Sequence, residues 1–424
     1  MKEQSGKDNT LLGRLLDKGV RIPLPEAVEI GPDVDPERIS GERVTIHAGC
    51  RISGDKTLIL PGVELGFEAP VTLRNCQVGR EVRLQGGYFF ESCFLKGVSM
   101  GSGAQVREGC LLEEGSRGGH TVGLKQTVLL PFVTLGSLVN FCDVLMAGGT
   151  DEKNHSEVGS SYVHFNYTPN QDKAAPSLVG DVPRGVMINQ APIFLGGHGG
   201  LVGPVNIGYG TVVAAGTLIR KDLLKEDRLV LGQLSPGGSM PFHRGLYNNI
   251  KRIIDLNTLY IANLIALRRW YFDVRFRFAG AGHADKALME GAVEKLDMAV
   301  DERLKRLKEV AGRMPRSISV RESLSLGSSS KVAVSKMREF MDRWPDIENA
   351  FREGMSIEGD ASQKDALLAG IERGIKEKGK DYTAAIKGLK DSESGAGTAW
   401  LQGLVDQIAL KIQALLPSFR RKGK

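Results

Sequence analysis

An all-β left-handed parallel β-helix, a hexapeptide-repeat prism, is the fold class predicted for this chain, with a C-terminal α-helical region after it. Three observations predict it. Aliphatic residues keep a strict spacing of six through Leu195, Leu201, Ile207, Val213 and Ile219. The 53 glycines of the 424-residue chain are concentrated before about residue 240. All three tryptophans (Trp270, Trp344 and Trp400) come after that point, where the pattern turns helical.

A six-residue period matches neither the 3.6-residue turn of a helix nor the two-residue alternation of a simple strand. It matches a chain that turns a corner every six residues, so that three short strands close one triangular coil. The in-phase aliphatic residue points into the prism, and the small residues after it, Gly196, Gly208 and Ala214, permit the tight corners. Shorter runs keep the spacing at Ile46, Ile52 and Leu58, at Met100, Val106 and Leu112, and at Leu129, Leu135 and Phe141. Each coil covers the apolar end of its neighbour, so stability accumulates along the stack. On this pattern residues 1–43 are a lead-in, 44–240 the prism and 241–424 the helical region.

The repeat breaks twice. Residues 85–97 (QGGYFFESCFLKG) read as an irregular coil, and residues 148–178 as an inserted loop in which Val158 and Gly159 keep one turn. An excursion from a rigid solenoid is where function tends to sit. Beyond Pro241, Leu246, Ile250, Ile253, Ile254, Ile261, Leu264 and Ile265 fall at helical intervals. Further helical patterns occupy 284–311, 331–343, 361–388 and 398–416, with a serine-rich break from Ser317 to Ser330. This region is expected to pack against the end or side of the prism and to shield its open edges.

A composition of 41% hydrophobic and 25% charged residues is that of a globular protein. A net charge of +6, with only a short basic tail from Phe419 to Lys424, does not imply a nucleic-acid partner. The five cysteines, Cys50, Cys76, Cys93, Cys110 and Cys142, lack metal-ligand spacing, and no secretory leader is expected from the opening residues. That predicts free buried thiols in a cytoplasmic protein. Asn257, Asn263, Arg268 and Arg269 interrupt the apolar stretch 256–272, so no membrane insertion is expected. Asp151, Glu152 and His155 are too few to predict a metal site.

Three local patterns carry a family resemblance. Arg107-Glu108-Gly109 is followed by Lys125, 18 residues after the arginine, in GHTVGLKQ. Asn166-Tyr167 stands in YVHFNYTP. The last coils read IFLGGHGGLVGPVNIGYGTVVAAGTLIRKD. Together, in this order, they make the region from about Val106 to Asp222 resemble the acetyltransferase domain of the bacterial bifunctional N-acetylglucosamine-1-phosphate uridyltransferase/glucosamine-1-phosphate acetyltransferase. Related chains labelled UDP-N-acetylglucosamine pyrophosphorylase share this domain.

The resemblance implies that Arg107, Lys125, Asn166 and Tyr167 bind a hexosamine phosphate or nucleotide sugar, with Lys173 as a further phosphate-side cation. It implies that Gly197 and Ala215 line a site for acetyl-CoA or another acyl-CoA. It also implies a homotrimer with its sites between neighbouring prisms. The chemistry is coherent, since arginine offers a planar fork to a phosphate and lysine a point charge.

The family's catalytic histidine falls 12 residues after its lysine; here Ser137 stands there, and Asn140 fills the place of a family tyrosine. A base for amine acylation would then come from the inserted loop, first from His155 and alternatively from His164, with Glu157 assisting. His120 and His198 lie nearer the other matched coils. Residues 1–43 are too few for a nucleotidyl-transfer domain, so pyrophosphorylase chemistry is not expected. Two readings stay open: a CoA-dependent acyltransferase, or a non-catalytic binding or scaffold protein that kept the sugar-phosphate site and lost the base.

Overall fold

The six-residue spacing becomes three parallel sheets of ten, eight and ten strands, wound in turn by one chain. The computed structural model describes residues 10–419 apart from 167, 233–237, 240, 281, 325–326 and the side chains of 327–329. We call the sheet that begins at Thr45–Ile46 face I, the one at Glu29–Ile30 face II and the one at Leu58–Ile59 face III. Leu195 lies on face I, Leu201 on face II, Ile207 on face III, Val213 on face I and Ile219 on face II. All five are buried. The in-phase residues pair across coils, Leu195 with Val213 and Leu201 with Ile219. This is the left-handed β-helix of the hexapeptide reading.

Four sequence expectations are corrected by the pairing. The lead-in already belongs to the prism: Arg21 bridges Thr45, Glu29–Ile30 pairs with Arg51–Ile52, and Ile39 bridges Ile59. Helix α1 (Leu11–Asp17) buries Leu15, and the Thr10 hydroxyl caps it by accepting from the Gly13 amide at 3.1 Å. Residues 85–97 are regular. They form strands Gly87–Phe90 and Ser92–Phe94, but the inward residues Leu84, Phe89 and Phe94 are five apart, which hides them from a six-residue search. Leu58 is one residue out of phase, because Ile59 aligns with the inward Val78 and Leu58 with the outward Gln77.

The fourth correction concerns residues 148–178, which are not one loop. Glu157–Val158 on face I, Val163–Phe165 on face II and Ser177–Val179 on face III complete a full coil. Two excursions leave it, residues 147–156 at the edge between faces III and I and residues 166–176 at the edge between faces II and III. A third excursion, unmarked in the sequence pattern, carries α2 (Val182–Gly185).

Past the prism come α3 (Ile250–Trp270), a π turn (Tyr271–Arg275) and α4 (Phe276–Phe278). They are followed by α5 (His283–Ser323), α6 (Gly327–Asp342), α7 (Trp344–Gly354), α8 (Ala361–Lys378), α9 (Tyr382–Lys387) and α10 (Asp391–Leu415). The segment 242–249 is not helical. The serine-rich break falls later than its first serine: α5 continues through Ser323 and α6 begins at Gly327, with residues 325–326 outside the described residues, and the buried Ser317 hydroxyl accepts from the Tyr247 amide at 2.9 Å.

The helical region lies along the side of the prism, on face III. Leu58, Cys93, Leu111, Val128, Leu145 and Leu178 form the outward column of that face, and all are buried. α5 packs against its earlier strands and α3 against Ser177–Val179. A sheet buried on both sides reads as continuous apolar doublets, and Leu111-Leu112 and Val128-Leu129 are such doublets. Faces I and II are left open, with Phe194 and Val212 exposed on face I and Phe165 and Leu218 exposed on face II.

Candidate functional site

Arg107 and Lys125 each follow an inward residue of face II, Val106 and Leu124, which pair directly. The Arg107 amide donates to the Leu124 carbonyl at 2.8 Å, so the two cations stand one coil apart on the edge between faces II and III. Cys142 follows Lys125 on the next coil, and Phe165 comes one coil later. These residues form a ridge along one edge of the prism, as an 18-residue spacing requires.

Lys125 Nζ lies 2.5 Å from Glu108 Oε1. Burial opposes ionisation of Glu108, but the Lys125 hydrogen bond wins and holds its carboxyl below the usual range. Arg107 is exposed and makes no ion pair among the described residues. The Cys142 thiol is pushed up to about 12 by burial and by the neighbouring Asp143, so it is no thiolate at neutral pH.

Asn166 opens the 166–176 excursion beside this ridge. Its Nδ2 donates to Asp143 Oδ2 at 3.0 Å, and Arg303 of α5 donates to the other oxygen at 2.7 Å. Burial pushes the Asp143 carboxyl up, opposed by the Arg303 guanidinium. Arg303 also donates to the Lys173 carbonyl at 3.2 Å. Asn166 Oδ1 is buried without a hydrogen-bond partner among the described residues. Arg107, Lys125, Asn166 and Lys173 therefore share one edge of the prism. Tyr167, the remaining member of the set, lies outside the described residues.

The proposed bases are elsewhere. His155 lies in the excursion at the edge between faces III and I, with Nδ1 2.8 Å from the Glu152 carbonyl and Nε2 3.7 Å from Glu157. A carbonyl only accepts, so Nδ1 carries the proton and Nε2 keeps its lone pair while the ring is neutral. Glu157 is an outward residue of face I, between Thr134 and Phe194. His155 and Glu157 thus meet each other but not the ridge of their own chain.

His164 is corrected as a candidate base. It occupies the inward position of face II, paired with Leu201, with Nε2 2.8 Å from the Ser177 hydroxyl. Burial pushes its pKa down to about 4. Sealed in the prism, the ring meets no substrate.

The edge between faces I and II carries the remaining candidates. His120 has Nε2 3.2 Å from Glu68, and its amide donates to the Ser137 hydroxyl at 3.1 Å. His198 is exposed in a corner at φ +54°. Gly197 and Ala215 stand on successive coils of this edge, where a Cβ on Gly197 would lie 2.7 Å from the Ser160 carbonyl oxygen. Asp151 and Glu152 are engaged by Lys387 and Arg117. Among the described residues no group of three His, Cys, Asp or Glu side chains is placed to hold a metal, and no helix is long and apolar enough to cross a membrane.

Two participants had no local signal in the sequence. Glu108 occupies the family-like corner but neutralises Lys125, and Arg303 reaches Asp143 from 160 residues further along the chain.

Fold and edge together define a hexapeptide-repeat solenoid protein with a helical sidewall and a polar ridge along one edge. No model of a known protein family matches the chain. It is similar to proteins named Bifunctional protein GlmU. The Thermotoga petrophila protein is 28% identical over 210 residues, 49% of this chain and 41% of the relative. That of Pelobacter propionicus is 26% identical over 53% of this chain and 42% of its own, and that of Fervidobacterium nodosum is 29% identical over 53% and 44%. The chain thus spans less than half the length of these curated relatives. Among solved structures, LpxA from Acinetobacter baumannii aligns over 67% of this chain and 95% of its own, at 15% identity and a TM-score of 0.22.

Proposed function

We propose that the chain is a CoA-dependent acyltransferase acting on a hexosamine phosphate or nucleotide sugar, with each site completed between two prisms. The observation that carries this reading is the convergence of Arg107, Lys125, Asn166 and Lys173 on one edge while His155 and Glu157 stand on another edge of the Asn166 coil.

Assembly geometry supports it. In a threefold ring of parallel prisms, one face of each subunit meets a different face of the next, and the edge they share points to the axis. Face III is covered by helices, so faces I and II are left to meet. Their outer rims are then the edge of His155 on one prism and the ridge on its neighbour. Rotation about an axis parallel to the stack keeps each coil at its own height. The exposed Phe194, Val212, Phe165 and Leu218 on these two faces fit a buried contact. The arrangement that would bring the Ser137 edge to a neighbour's ridge needs face III and is closed off.

In this reading Arg107 and Lys125 hold the phosphate. His155 Nε2 takes the amine proton as nitrogen attacks the thioester carbonyl. The C–N bond forms, the C–S bond breaks, and the proton passes to the leaving thiolate. The donor is acetyl-CoA or another acyl-CoA.

The test measures thiol release from acetyl-CoA with a hexosamine 1-phosphate. Arg107→Ala should weaken sugar binding by about 1.5–3 kcal/mol. His155→Ala should lower turnover by roughly a hundredfold with little change in that binding. At a sugar concentration too low to saturate Arg107→Ala, mixing the two impaired variants should restore activity, because mixed rings contain intact sites. Failure of the mixture to recover activity would reject the shared site.

A second reading, a binding or scaffold protein, is favoured by the separation of His155 from the ridge within one chain. Sugar-phosphate binding without CoA-dependent product would establish it.

A further inference from the structure

The 166–176 excursion and the helical region enclose a cup of about 280 Å³ between Pro169, Asn170, Gln171, Gly245, Tyr247 and three arginines, Arg244, Arg313 and Arg316. No aspartate or glutamate lines it. The nearest acids have other partners, Asp172 standing behind the Tyr247 wall. Glu302 and Glu309 of α5 are held by Arg306 at 2.7 and 3.0 Å, and the buried Asp172 accepts from the Tyr247 hydroxyl at 2.6 Å. Arg313 is fixed in place by donating to the Asn170 and Gln171 carbonyls. Arg244 and Arg316 make no ion pair among the described residues, and both are exposed.

Arg316 packs directly against Gly245, at φ +88°, where a Cβ would come within 2.8 Å of its Nε. The Gly245 amide donates to Asn170 Oδ1 at 2.9 Å, tying the two walls together. Three guanidiniums that share a small cavity with no carboxylate on its lining repel one another, and an oxyanion with several acceptor oxygens relieves that repulsion. Sites for drug-sized ligands run from about 300 to 1,000 Å³, so this volume suits one phosphate or diphosphate group rather than a whole nucleotide.

We propose that this cup is an oxyanion site for a phosphate or diphosphate group, built by the helical region onto the prism. The site is separate from the Arg107 and Lys125 ridge and needs neither CoA nor acyl transfer. Its ligand is either a free inorganic anion or the diphosphate of a larger molecule.

Calorimetric titration of the full chain with orthophosphate, pyrophosphate and uridine diphosphate tests it. Saturable binding of pyrophosphate is expected, weakened at least tenfold by Arg244→Gln with Arg316→Gln. Arg83→Gln removes an exposed face I arginine and one unit of charge, against two in the double variant, and it should leave the affinity unchanged. Arg313 is kept, so the walls of the cup stay joined, and an unchanged melting temperature of the unliganded double variant checks this. Uridine diphosphate bound more tightly than pyrophosphate would assign the site to the diphosphate of a nucleotide. Equal affinities would assign it to the free anion. The inference is overturned if none of the three binds, if the double variant binds as the parent does, or if Arg83→Gln weakens binding equally.

Discussion

Faces II and III of the prism share the same inward ladder and differ in what stands on their outer side. Through the same coils, face II presents Thr72, Tyr88, Gln105, Gly123 and Asn140 outward, whereas face III presents Gln77, Cys93, Leu111, Val128 and Leu145. The first column is at least partly solvated; the second is buried beneath helices. The hexapeptide period thus encodes only the inside of a solenoid. The outward residue of each strand encodes what the face will meet, and on face III that is the chain's own second half.

Charge placed on the two outward columns should separate them most. Leu111→Glu puts a carboxylate under α5 and should cost about 4–5 kcal/mol in urea unfolding. Gln105→Glu, on the open face of the neighbouring strand, should change stability by less than about 0.5 kcal/mol. Equal and small effects would mean that face III is open in solution.

Next in size is the buried pair that ties the helices to the prism. Arg303→Met leaves Asp143 uncompensated and should cost about 3–4 kcal/mol. Adding Asp143→Asn should recover half of that loss or more, and a strictly additive double variant would show that the pair is not coupled.

The smallest effect concerns a polar group on the inner ladder itself. His164 has a folded pKa of about 4, below its unfolded value near 6.5. The unfolded chain therefore binds the proton first. Stability is fully present above about pH 6.5 and falls by about 3 kcal/mol as pH drops through that window to 4. His164→Phe should flatten this part of the pH profile, measured by denaturant midpoint. An unchanged slope would place the imidazole in contact with water.

The inward phase was legible wherever corners keep six residues, as from Leu195 to Ile219. It was hidden where corners shorten, as at Leu84, Phe89 and Phe94, because a one-residue loss shifts the pattern without disturbing the sheet. The 148–178 segment read as a single loop because its inward residue on face II is His164, a polar side chain in an aliphatic position. The serines from Ser317 to Ser330 mark a break that starts only after Ser323, because Ser317 is buried as an acceptor inside α5.

On the ridge, the adjacency of Arg107 and Lys125 followed from their 18-residue spacing, since 18 residues make one full coil. The placement of His155 did not follow, because the edge an excursion leaves from depends on every shortened corner before it. The Arg303–Asp143 contact joins two segments whose local patterns carry no reference to each other.

α5 is 41 residues long and touches the prism repeatedly. Glu294 meets Lys56, the Leu288 carbonyl accepts from the Cys93 thiol, Arg303 meets Asp143 and Arg313 meets Asn170. A bare solenoid couples each coil only to its neighbours, so it can fray from either end one coil at a time. A rod fastened at four heights removes that freedom, because a coil cannot open without releasing the rod from the rest. Amide hydrogens along face III should therefore exchange with solvent together, at the rate of global unfolding, rather than in a gradient from the ends. The helical region acts as a splint that turns a stack of separable layers into one cooperative body.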